Sequence, residues 1–173
     1  MTPIDHSQAE DLFQRGLRNL HAVETQCRTM TQRQLNRLDD FPNVRERMES
    51  YLETTDRQLE RLELILDRHG GNTSGMKDAM AGMGANMTAM GNAMADDEIL
   101  KNSMANAALT MFQIAAYDSA IAIGEAAGEA DALRQLQLSL SEERDMHAWL
   151  AETMRGVTLQ HLQLRSQGLD ARS

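Results

Sequence analysis

Hydrophobic residues recur at intervals of three and four along most of the chain, which is the spacing of one face of an α-helix. Breaks in this pattern divide the 173 residues into four long segments. We predict helices over residues 7–38, 43–69, 97–127 and 130–165, and the third of these begins at Asp96 or Asp97. Ser7, with Glu10 three residues later, is the predicted N-cap of the first helix. The first and last connections are short, so each pair of helices is expected to be antiparallel.

The connection between the second and third long helices, residues 73–97, is rich in methionine. Its methionines follow heptad spacing: Met76, Met80, Met83, Met87, Met90 and Met94. The glycines between the methionines make a helix here intrinsically weak. We therefore expect a helix that is stable only when its methionines pack against an apolar surface of the same subunit or of a second subunit. A Cu(I) thioether site is the weaker alternative, because neither Cys nor His is interleaved.

Two hairpins joined by one long crossover predict the architecture. We expect a single all-α domain over 1–173: a ferritin-like, antiparallel four-helix bundle. The methionine-rich crossover lies between helices 2 and 3, and residues 166–173 are predicted to fray.

Two acids interrupt otherwise apolar stripes. Glu24 lies on the stripe of Phe13, Leu17, Leu20 and Cys27. Glu143 lies on the stripe of Leu133, Leu136, Leu140, His147, Leu150 and Met154. A buried carboxylate is costly without a proton, a hydrogen-bond network or a metal. The two acids therefore mark the candidate site.

Composition and charge limit the possible partners. The net charge of −9 argues against nucleic acid as a partner. We expect no membrane span, because no stretch approaches about 18 apolar residues. The polar start carries no signal-peptide pattern, and the single Cys27 cannot form an internal disulfide. We therefore expect a cytoplasmic protein.

Four short motifs in order resemble those of the YciE/YciF family of ferritin-like proteins, bacterial proteins linked to stress. They are residues 20–26 (LHAVETQ), 52–62 (LETTDRQLERL), 114–117 (IAAY) and 142–144 (EER), the last followed by Trp149 and Leu150. The resemblance covers nearly the whole chain. It implies a dinuclear metal site with one Glu from each of two helices and a Glu-x-x-His-type pair from each of the others.

The metal ligands that the resemblance implies are only partly present. Glu24 and Glu143 fit ligand positions on the first and fourth helices. Neutral residues, Thr54, Thr110 and Gln113, occupy three other expected positions, unless a shift of one residue brings in Glu53. Two carboxylates are few for two divalent ions, which need several anionic bridges.

Two interpretations follow. In the first, the inward polar residues satisfy one another without a metal or other cofactor: Glu24, Thr54, Gln58, Thr110, Gln113, Glu143 and His147. The protein is then a stress-associated structural or interaction protein and not an active ferroxidase, and we expect it to be a homodimer.

In the second interpretation, Glu24, Glu143 and His147, with His21 nearby, hold a residual mono- or dinuclear iron, manganese or zinc site. That site would perform oxidase, peroxidase or iron-handling chemistry. We favour the first interpretation, and enzymatic activity stays open.

Overall fold

The computed structural model describes residues 5–69 and 97–168, and it is almost entirely helical there. Its helices are α1 (His6–Leu35), α2 (Pro42–Arg68), α3 (Glu98–Ala127) and α4 (Ala130–Ser166). No strand occurs within the two described ranges. The prediction of an all-α four-helix bundle is therefore confirmed. The predicted methionine-rich crossover, apart from Asp97, and residues 169–173 of the predicted frayed tail lie outside the described residues.

The helices begin and end within a few residues of the predicted boundaries, and the residues at their ends account for the differences. Asp5, not Ser7, is the N-cap of α1, since its Oδ1 accepts hydrogen bonds from the backbone N–H groups of Ser7 (3.0 Å) and Gln8 (3.3 Å). Asp and Ser cap helices comparably well, so residue type alone does not separate Asp5 from Ser7. The α3–α4 turn depends on Gly128, whose φ of 76° is in the left-handed region that favours glycine.

The four helices form a ring in which every neighbouring pair is antiparallel. α1 packs against α2 and α3, and α4 packs against α3 and α2. At one end, His69 after α2 lies 3.3 Å from Glu129 at the start of α4. At the other end, Arg37 after α1 pairs with Glu98 at the start of α3. The end of α2 and the start of α3 are therefore at opposite ends of the bundle, which is the topology of one long crossover.

Two hydrophobic clusters fill the bundle, one towards each end. The cluster near His69 centres on Phe13, Leu17, Leu20, Leu62, Tyr117, Ile121 and Leu136. The other centres on Val23, Cys27, Phe41, Met48, Tyr51, Leu109, Met146 and Leu150. Buried polar side chains lie near the border of the two clusters on every helix: Glu24, Thr55, Gln58, Gln113 and Glu143. The centre of the bundle is thus a polar layer between two apolar layers.

The outer face of α3 is unusually apolar. Met104 and Met111 are 56% and 50% exposed there, and Phe112 is 53% exposed. Since α3 is apolar on most sides, its pattern could not fix its rotation. By length and composition alone, α3 would even pass for a membrane span, contrary to expectation, but core helices of soluble proteins pass the same test.

Gly124 is predicted to be required for packing at the His69 end. A Cβ atom there would lie 2.8 Å from Cε2 of the buried Phe13 ring. We expect Gly124→Ala to lower the free energy of unfolding by about 1–3 kcal/mol, because overpacking outweighs the better helix propensity of alanine.

Gly16 and Gly156 provide matched controls, because a Cβ at either position meets nothing within 4 Å. Alanine at these helical positions should raise stability by up to about 1 kcal/mol. Urea denaturation of the three variants measures the difference, and equal effects at all three positions would contradict the packing argument.

Candidate functional site

Each helix contributes two inward residues, three apart, to the polar layer or its border. These pairs are Glu24 and Cys27 on α1, Thr55 and Gln58 on α2, Thr110 and Gln113 on α3, and Glu143 and Met146 on α4. None of the eight is more than 2% exposed. Residues three apart lie on the same face of a helix, so all eight side chains converge on the centre of the bundle.

Neutral side chains donate hydrogen bonds to both buried carboxylates. Tyr51 donates its hydroxyl to Oε2 of Glu143 at 2.8 Å, and Gln58 donates Nε2 to Oε1 of Glu143 at 2.9 Å. Gln113 donates Nε2 to Oε2 of Glu24 at 2.9 Å. Both carboxylates are therefore held by side-chain donors that carry no charge.

Tyr51 links the two halves of this network. Its hydroxyl oxygen accepts from the Cys27 thiol at 3.4 Å and also lies 3.4 Å from Oε1 of Gln113. One hydroxyl proton can serve only one acceptor, and the shorter contact is with Glu143. Burial raises the pKa of the Cys27 thiol, and the two buried acids raise it further, so Cys27 remains a protonated donor.

Part of the network lacks partners. Oε1 of Glu24, Oε1 of Gln58 and the Tyr117 hydroxyl are buried without a hydrogen bond to any residue that the structure describes. A proton on Glu24 would reduce the cost of this burial, because the acid would then be neutral.

Burial is the main influence on both acids. It raises the pKa of Glu24 well above 4.5, the charge of Glu143 raises it further, and the hydrogen bond from Gln113 opposes this. Burial also raises the pKa of Glu143, to about 7, although the donors Tyr51 and Gln58 lower it. Burial therefore favours the neutral, protonated form of both carboxyls, and the nearby charge of Glu143 favours it further for Glu24.

The histidines predicted near the acids have other partners. His147 is only partly buried, and its Nδ1 lies 3.0 Å from the Thr110 hydroxyl. His21 is buried and its Nε2 lies 3.2 Å from Oε1 of Glu63. Among the described residues, neither joins the two acids in a group of three metal-ligand side chains within 4.8 Å.

The structure moves the inward position on α2 by one residue. Thr54, predicted to occupy a ligand position, is only partly buried, and its hydroxyl donates to the Ser50 carbonyl at 3.1 Å. Thr55, fully buried, takes the inward place. Glu53, the alternative in a shifted alignment, is exposed. Thr110 and Gln113 are buried as predicted.

Two groups of polar residues were missed from sequence. Tyr51 is absent from the predicted polar network, although its spacing to Thr55 and Gln58 marks it as part of the same inward row. Arg61 and Glu142 form a two-pronged ion pair that was not predicted, with distances of 2.7 and 2.9 Å and side chains only 13% and 21% exposed. This pair bridges α2 and α4 beside the polar layer.

The fold and the site together define a class of protein: an antiparallel four-helix bundle in which two buried carboxyl groups accept hydrogen bonds from uncharged side chains. The model of the family described as "Domain of unknown function (DUF892)" matches residues 8–163, and the chain belongs to this family. Its fold is similar to the crystal structure of a protein from Xanthomonas campestris pv. campestris. The TM-score is 0.76 at 21% identity, over 92% of this chain and 99% of that one.

The raised pKa values predict a measurable pH dependence of stability. A carboxyl whose pKa is higher in the folded than in the unfolded protein stabilises the fold most at low pH, and this stabilisation is lost as the pH rises through the folded pKa. We expect the double variant Glu24→Gln/Glu143→Gln to exceed the wild type in stability by about 2–3 kcal/mol at pH 8. Little or no advantage should remain near pH 4.

Urea denaturation from pH 4 to pH 8 measures the stability difference, and Glu53→Gln on the exposed surface is the control. The Tyr51 hydroxyl can accept as well as donate, and the Gln58 amide can be flipped, so both glutamines can be accommodated. A double variant that is less stable than the wild type at pH 8 would contradict the raised pKa values.

Proposed function

We propose that this protein is a ferritin-like protein of the YciE/YciF type that works as a stress-associated structural or interaction protein. In this proposal a hydrogen-bond network replaces the dinuclear metal centre, and the protein is not a ferroxidase. One observation carries the proposal: both buried acids, Glu24 and Glu143, accept hydrogen bonds from neutral donors.

The chemistry of the inward side chains supports this reading. In the dinuclear carboxylate proteins, two helices each supply a Glu and the other two each supply a Glu-x-x-His pair. Here α2 carries Thr55 and Gln58 at that spacing, and α4 carries Glu143 and Met146. Two carboxylates, with neutral Thr, Gln and Met side chains at the other inward positions, are too few anionic ligands for two divalent ions.

A residual mononuclear site is the second candidate. The observation that favours it is the unpartnered Oε1 of Glu24, which leaves one buried oxygen able to accept a ligand. Against it, His147 lies beside Thr110 and adds no donor to the pair. The metal-content measurement described next would detect a metal ion bound by Glu24 and Glu143.

The test is metal content after loading with iron, manganese or zinc, measured by elemental analysis of wild type and of Glu24→Gln/Glu143→Gln. We expect equal metal content in the two proteins, because the central acids bind none. Metal that is present in the wild type and missing in the double variant would overturn the proposal and support the metalloprotein.

A rebuilt centre provides the positive control. The variant Thr55→Glu/Gln58→His/Gln113→Glu/Met146→His supplies the missing carboxylates and imidazoles at the inward positions of three helices. It should gain up to two iron or manganese ions per chain relative to wild type. Gain in this variant would show that the loading procedure detects a central site when the ligands exist.

Self-association through the outer face of α3 is the interaction that we propose for the homodimer. Met104, Met111 and Phe112 are each at least half exposed there, and exposed apolar patches often mark protein interfaces. Lysines introduced at two of these positions would bring like charges from both subunits into one symmetric interface, where they repel.

The expected result is a dimer for the wild type and a monomer for Met111→Lys/Phe112→Lys by analytical ultracentrifugation. Leu138→Lys/Leu162→Lys on α4 is the matched control, because both leucines are at least half exposed and the charge change is identical. A wild type that stays monomeric over a wide concentration range, or a control that dissociates equally, would reject α3 as the interface.

A further inference from the structure

A second group of ionisable side chains lies at the end of the bundle, far along the helices from the central acids. Glu10 on α1, His69 at the end of α2 and Glu129 in the α3–α4 turn each place one donor atom within 4.8 Å of the other two. Nε2 of His69 lies 3.3 Å from Oε2 of Glu129. Three separate parts of the chain therefore meet at one point.

Packing fixes the position of the His69 ring. The ring meets the edge of Phe13 at a centroid distance of 5.8 Å and an interplanar angle of 80°. Phe13 is fully buried and lies against the backbone of Gly124, where no Cβ would fit without a shift. The imidazole is thus held on a rigid surface, which reduces the entropy cost of using it as a ligand.

The side chain of Glu129 is not used to cap α4. Glu129 is the N-cap residue of that helix, but its side chain makes no hydrogen bond to the first turn, and glutamate is not among the residues favoured for capping. It extends to His69 instead. The turn through Gly128 places this carboxylate, and the His6 ring lies over the same glycine.

The distances suit a single small cation. Zinc bonds to imidazole nitrogen and carboxylate oxygen are about 2.1 Å long, so two ligand atoms on one tetrahedral ion lie about 3.4 Å apart. His69 and Glu129 are already at 3.3 Å. Glu10 is exposed and can adjust its position to complete three protein ligands.

We propose that Glu10, His69 and Glu129 form a binding site for a zinc-class divalent cation, with water in the fourth position. The ion would join the start of α1, the end of α2 and the α3–α4 turn, and so would clamp the end of the bundle at which α2 terminates. The site uses none of the central residues and is independent of the function proposed above.

His21 and Glu63 provide an internal comparison. Their Nε2–Oε1 distance of 3.2 Å matches that of His69 and Glu129, and each pair combines a shielded imidazole with a carboxylate. Among the described residues, however, only the group at the bundle end has a third donor within 4.8 Å. A pair without this third donor should act as a simple ion pair, so Glu63→Gln is a matched control.

Isothermal titration of the metal-free full chain with Zn²⁺ tests the proposal, and Co²⁺ absorption reports the coordination geometry. We expect one Zn²⁺ per chain and a Zn²⁺-dependent rise in melting temperature. Glu10→Gln, Glu129→Gln and His69→Ala should each weaken binding roughly tenfold or more. Glu63→Gln and Glu24→Gln/Glu143→Gln should bind as the wild type does.

The two glutamine variants keep the proposal testable if His69→Ala disturbs the packing on Phe13. Binding that is unchanged in both Glu10→Gln and Glu129→Gln would place the ion elsewhere and overturn the site. A dissociation constant above about 1 mM for the wild type would also overturn it, since the group would then be an ion pair only. Loss of binding in Glu24→Gln/Glu143→Gln alone would instead count against the proposed function.

Discussion

The burial of two carboxylates in the middle of the bundle is the constraint to which the surrounding structure responds. A buried charge without partners costs several kcal/mol, so the fold must supply protons, donors or counter-ions. Here α2 supplies Tyr51 and Gln58 to Glu143, and α3 supplies Gln113 to Glu24. Every helix is thereby tied to the same layer by directional bonds.

This polar layer also distinguishes one packing arrangement from others. The apolar layers on either side are built largely from leucine and similar side chains, which tolerate several registers. A helix displaced by one turn would place an apolar residue against Glu24 or Glu143 and leave a buried acid without its donor. The layer thus favours one helix register at a cost in stability that grows as the pH rises.

The fold and the chemistry of this chain are separable. A bundle similar to the Xanthomonas structure is kept at 21% identity, because helix packing requires only the pattern of apolar positions. Chemistry depends on individual side chains, so the shared fold by itself assigns no activity to this chain. The end of the bundle is chemically independent, since its donors come from helix termini and a turn.

The sequence by itself determined the all-α class, the four long helices and the inward placement of Glu24 and Glu143, because helical periodicity is a local property. It could not assign Thr55 rather than Thr54, or show that Met111 faces outwards, because helix rotation is fixed by packing against neighbours. The partnership of Tyr51 with Glu143 and the meeting of Glu10, His69 and Glu129 join residues distant in the chain. Only the tertiary structure decided these contacts, since residues from different helices become neighbours only when the bundle closes.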